Sequence, residues 1–161
     1  MSASSTSEGP ASGATRRGAA RLNLVSGGLV GLGSAAFVDE VVFHQVLHWH
    51  HFYDRSTSAV GLVSDGLLHA VSWLATVGGL LLLARLRGAG SLRARTWWAG
   101  WFLWCGAFQL FDGVVNHKLL GLHQIRYGVD LTPYDTVWLV VAVALVLVGV
   151  VLALRPRGRS A

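Results

Sequence analysis

Two stretches carry most of the side chains able to do chemistry. One is FVDEVVFHQVLHWHH at residues 37–51, and the other is FDGVVNHKLLGLH at residues 111–123. An offset of 73 positions lays Asp39 on Asp112, Val41-Val42 on Val114-Val115, His44 on His117, Leu47 on Leu120 and His50 on His123. Each copy reads Asp-x4-His-x5-His inside apolar sequence. Imidazole and carboxylate together ligate transition metals, and a carboxylate can also fix the orientation of a ligating imidazole.

Helical spacing divides these groups. At about 100° per residue, Glu40, His44, His48 and His51 share one face, as do Asp65 and His69. Asp39 and His44 stand about 140° apart on an α-helix, and so do Asp112 and His117. That places each histidine toward one neighbour and each aspartate toward the other. The expected metal site is therefore His44, His69 and His117, with Glu40 as the carboxylate ligand. Asp39, Asp65 and Asp112 would orient imidazoles. His48, His50, His51 and His123 would pass metal inward at the mouth, or sit at the membrane interface beside Trp49.

Three His and one carboxylate suit Zn, Cu(II) or non-haem Fe. Cys105 is the only cysteine and Met1 the only methionine, which disfavours a dedicated Cu(I) site and excludes an internal disulfide. Other readings stay open. Two facing histidines could ligate a b-type haem. The same groups could form a hydrogen-bonded His–Asp network with no cofactor, or part of a proton path. No nucleophile triad, phosphate loop or haem-attachment motif is present, so the sequence points to binding or delivery rather than turnover.

The elements that must position these groups are membrane helices. The chain has 161 residues, 53% hydrophobic and only 13% charged, too apolar for an ordinary soluble domain. Residues 137–154 are an unbroken run of apolar residues and Gly, long enough to cross a bilayer. Four spans are expected: 22 to 48, 64 to 85, 96 to 120, and one opening at Thr132-Pro133-Tyr134-Asp135 and ending at Arg155. Gly27, Gly31 and Ala35 give the first a smooth face for close helix approach. Trp97 and Trp98 fit an interfacial aromatic belt. Residues 1–21 read as a disordered tail without a signal-peptide cleavage site, residues 22–155 as the membrane domain, and 156–161 as a second tail.

Ten of the 13 Lys and Arg residues fall on one side of such a bundle. The positive-inside rule makes that side cytoplasmic, with both termini. All seven histidines then lie in the outer half or beyond it. The net charge of +5 is spread between apolar runs, a pattern of topology rather than of nucleic-acid binding. Inserting an ionisable group at mid-helix costs roughly 2.5–3.5 kcal/mol, so these groups must face one another or a wet cavity. The expected fold is all-α: a four-helix membrane bundle built as a tandem repeat of two-helix units, related by an axis along the membrane normal.

The stretches FVDEVVFHQVLHWHH, DGLLH at residues 65–69, and FQLFDGVVNHKLLGLHQIR resemble the bacterial family of predicted four-helix membrane proteins called domain of unknown function twenty-two forty-three. The likeness covers residues 22–154. It implies a multi-pass protein of the bacterial plasma membrane in contact with lipid. Family members lie near cytochrome oxidase assembly genes, which implies a respiratory-chain or metal-handling partner. Glu40 stands where the second motif has Gly113, so the two copies are not chemically equal.

Overall fold

The computed structural model describes residues 10–155, with side chains from residue 16. Four helical rods pack as a bundle: α1 (Pro10–Asp39), α2 (Ser58–Gly88), α3 (Ala94–Leu110) and α4 (Thr132–Leu154). α1 and α3 each continue without a break into a π-helix, π1 (Glu40–Val46) and π2 (Phe111–Leu120). α1 packs against both α2 and α3, and α3 packs against α4, so the spatial order is α2, α1, α3, α4.

Small residues make this close packing possible. A side chain at Gly27 or Gly31 would overlap the backbone carbonyls of Trp97 and Trp101, and one at Gly100 would overlap that of Leu24. The smooth face expected on the first helix therefore meets α3 backbone to backbone. Gly33 and Gly79 do the same between α1 and α2, and Gly106 and Gly149 between α3 and α4.

Polar side chains lie buried among small apolar residues in the interior, and large apolar ones cover the outer surface. Asn23, Ser26 and Ser72 are fully buried, whereas Leu67, Leu74 and Leu81 of α2 and Val137, Val140 and Leu147 of α4 are exposed. That is the arrangement a lipid solvent selects. Three helices, at 16–46, 58–88 and 132–154, are long and apolar enough to cross a membrane by length and composition. Trp97, expected in an interfacial belt, is instead buried: its indole N–H donates to Ser26 Oγ at 3.0 Å, and Ser26 Oγ donates to the Gly79 carbonyl at 2.8 Å. Trp98 does face outward.

Helix boundaries differ from the sequence reading where local hydrogen bonds decide. α1 begins at Pro10 rather than near Leu22, because Ala in this segment favours helix. α2 begins at Ser58, where Thr57 Oγ1 accepts from the Val60 N–H. Ser64 and Asp65, expected at its start, lie inside it. Thr132 is the first residue of α4, and its N–H is held by Asp130 Oδ1 at 3.0 Å. Residues 1–9 of the expected N-terminal tail and all of 156–161 lie outside the described residues.

Candidate metal centre

The two π-helices span the middle of the two echoed motifs. In a π-helix the backbone bond spans five residues, so side chains five apart come onto one face. Asp39 Oδ2 lies 3.7 Å from His44 Nε2, and Asp112 Oδ2 lies 3.0 Å from His117 Nε2. The α-helical angle predicted that each Asp and its His would diverge. The extra residue per turn brings them together instead.

Both π-helices end alike. Trp49 N–H donates to the Phe43 carbonyl and Leu122 N–H to that of Asn116, both at 2.9 Å. The residues just before them, His48 and Gly121, take left-handed backbone conformations with φ of 50° and 55°. Each chain then turns back over the end of the bundle. Asp54 N–H bonds the Leu122 carbonyl at 3.1 Å and Arg55 Nε–H the Gly121 carbonyl at 2.6 Å, so the two loops are tied together.

These loops insert one histidine each into the bundle end. His50 Nδ1 lies 3.0 Å from the Ile125 carbonyl, and His123 Nδ1 lies 2.9 Å from the Phe52 carbonyl. A carbonyl only accepts, so Nδ1–H is the donor in both rings. Nε2 of each neutral ring is left as a bare lone pair. Burial and the neighbouring His123 and His44 push His50 down to about 2, and burial likewise lowers His123. Both rings are therefore neutral at ordinary pH.

His44 is polarised in the same sense. Its Nδ1 lies 2.9 Å from Glu40 Oε2 and 3.0 Å from Asp65 Oδ1, which puts the proton there. Its Nε2 is buried without a hydrogen-bond partner, as are His50 Nε2 and Asp39 Oδ1. Asp65 is the hub of this half. It also accepts from His51 Nδ1 at 2.6 Å and from the Phe52 N–H at 2.7 Å.

Ligand atoms from Asp39, His44 and His50 all lie within 4.8 Å of one another, and those of Asp112, His117 and His123 do the same. These are the three matching positions of the two motifs. A third such group, Glu40, His44 and Asp65, shares His44. In the second triad His117 Nε2 is 3.0 Å from His123 Nε2, and Asn116 Nδ2 donates to Asp112 Oδ1 at 2.9 Å. All of Asp39, Glu40, His44, His50, Asp65, Asp112, His117 and His123 are buried.

The first triad thus gathers two bare imidazole nitrogens and the Asp39 carboxyl within 4.8 Å, and His44 Nε2, His50 Nε2 and Asp39 Oδ1 make no hydrogen bond. Buried acceptors that face only acceptors are costly. A cation is the partner their chemistry fits.

The sequence-read site is partly assembled here. His44, His117 and Glu40 lie in the cluster, and Asp65 Oδ1 is 3.0 Å from His44 Nδ1. His50 and His123, read as mouth residues, are buried at the centre. Asp39 and Asp112, read as orienting groups, contribute to the ligand triads. His48 is exposed at the π1 terminus, and His51 is partly exposed against Asp65. His69 stands apart: it is half-buried with its ring 5.6 Å from that of Phe37, and it enters none of the three groups. It lies on the Asp65 face of α2 but one turn further along the helix, and its ring packs on Phe37 instead of joining the cluster.

No curated protein and no solved structure matches this chain. Residues 26–156 match the family described as "Predicted membrane protein (DUF2243)". The chain belongs to that family, whose description agrees with the apolar exterior seen here.

Proposed function

We propose that this protein is an integral membrane protein that holds a transition metal in the buried His/carboxylate pocket at the end of its bundle. The observation that carries the reading is the pair of unpartnered nitrogens, His44 Nε2 and His50 Nε2, in a group with Asp39 whose ligand atoms lie within 4.8 Å of one another. The rings behind them are braced by carboxylates or carbonyls, as the rings of ligating histidines are. Imidazole and carboxylate donors without sulfur suit Zn, Cu(II) or Fe.

In this reading α3 with π2 forms the fourth span, and the two helix pairs are parallel repeats. The Arg-rich end is cytoplasmic by the positive-inside rule, so the metal lies toward the exoplasmic face of a bacterial plasma membrane. Donors closed off by their own loops fit storage or delivery to a respiratory or metal-handling partner better than turnover of a substrate.

Metal and pigment analysis of protein purified in detergent tests the reading. The expected result is colourless or weakly coloured protein with tightly held Zn, Cu or Fe. A Soret band would favour haem, against which the direct contacts among the histidine rings speak. Metal-free protein that folds and cannot be loaded would leave only a structural network.

A further inference from the structure

Resting on that metal reading, we infer that the pocket holds a pair of ions rather than one, the first on Asp39, His44 and His50 and the second on Asp112, His117 and His123. Among the described residues, no compact ligand group mixes donors from the two triads. Each triad is complete by itself, with two imidazoles and one carboxylate. That donor set leaves coordination positions open on each ion.

The triads are nevertheless neighbours. The rings of His50 and His123 stack at 4.5 Å with an interplanar angle of 7°. The ring of His44 is 4.5 Å from that of His50, and the ring of His117 is 4.7 Å from that of His123. Two ions in these triads would be held side by side by adjacent rings of one buried cluster.

Charge supports a pair. Asp39, Glu40, Asp65 and Asp112 are buried together, and their ion-pair partners among the described residues are histidines alone. Metal ligation holds carboxylates in the ionised form, and against four such charges one divalent ion would offset half and two would offset them fully. Low-dielectric surroundings favour the neutral total.

The two positions are unequal. His44 has Glu40 and Asp65 behind its Nδ1. The corresponding places in the second half, 73 residues on, hold Gly113 and Trp138. Trp138 fills the space, its ring 5.8 Å from that of His117, and His117 Nδ1 has no partner. The carboxylate-backed imidazole is the more basic ligand, so the first triad fills before the second.

The test is a titration of the full chain in detergent, stripped with chelator and reloaded with Zn(II), followed by elemental analysis per polypeptide. Two tightly held Zn per chain, bound in two steps, are expected. H44Q and H117Q should each retain one, and the double variant none. One Zn per wild-type chain overturns the pair and leaves the metal reading standing, whereas none overturns both. Cu(II)-loaded wild type gives a check independent of variant folding. A spin-coupled Cu(II) pair by EPR is expected, and isolated Cu(II) alone would overturn the pair.

Discussion

His50 and His123 lie ring on ring at the centre of the bundle end, each donating from Nδ1 to a carbonyl in the other's loop. The acceptors are Ile125 and Phe52, two residues beyond the opposite histidine in each case. This reciprocal exchange locks both tautomers and turns both Nε2 atoms inward. It makes the two loops a single clasp over the pocket, and each histidine depends on the other's backbone.

Removing one ring should therefore disturb metal more than fold. H50Q and H123Q are each expected to lose one of two ions. H69Q, outside the ligand groups, should retain both. Elemental analysis of variants matched for thermal melting checks this. Loss of metal in H69Q with retention in H50Q would contradict the assignment.

Asp65 serves three donors with two oxygens. D65N leaves at least one of them unsatisfied, a cost of about 1–3 kcal/mol. It should also weaken metal held by the first triad by roughly 10–100-fold while sparing the second. Competition with a chelator of known affinity would resolve the two phases. Equal weakening of both would show that Asp65 acts through the fold alone.

Acid should destabilise the metal-free protein. His50 sits at about 2 in the fold against 6.5 unfolded, so between those values the unfolded chain binds the extra proton. Its contribution is fully present above about pH 6.5 and is lost progressively as pH falls toward 2. Melting of chelated protein in detergent should shift downward from pH 7.5 to pH 5, and less so for H50Q. A melting point independent of pH across that range would contradict the buried neutral ring.

His48 pays for ending π1 in a left-handed conformation that Gly121 adopts freely at the end of π2. H48G should stabilise the fold by about 1 kcal/mol or less and leave metal content unchanged. Loss of metal in H48G would instead give His48 a part in binding.

Much of this architecture is written in the sequence. The repeated Asp-x4-His-x5-His spacing picks out the six residues that gather in the two matching buried groups, and Gly27 and Gly31 identify the α1–α3 contact. What spacing hides is the winding of the helix. Asp39 and His44 diverge on α geometry and converge on π geometry, and the choice between them is made by tertiary packing. His50 and His123 look like interfacial loop residues because nothing local shows that they are held by carbonyls 75 and 71 positions away. His69 looks like a ligand by depth, yet its ring turns to Phe37.

Close helix approach should be as fragile as it looks. A methyl at Gly27 meets the Trp97 carbonyl and cannot be relieved without moving α3 from α1, so G27A should cost at least about 1–3 kcal/mol. Nothing lies within 4 Å of a Cβ at Gly66, so G66A should be neutral or stabilising. Thermal melting of the two variants side by side checks the contrast, and equal melting would mean the helices pack less closely.

X-ray absorption at the edge of the bound metal, on protein as purified in detergent, examines the ligands directly. The structure predicts a nitrogen and oxygen first shell with imidazole scattering from two rings per ion and no sulfur. A sulfur shell, a spectrum without imidazole, or protein that binds no metal would contradict it.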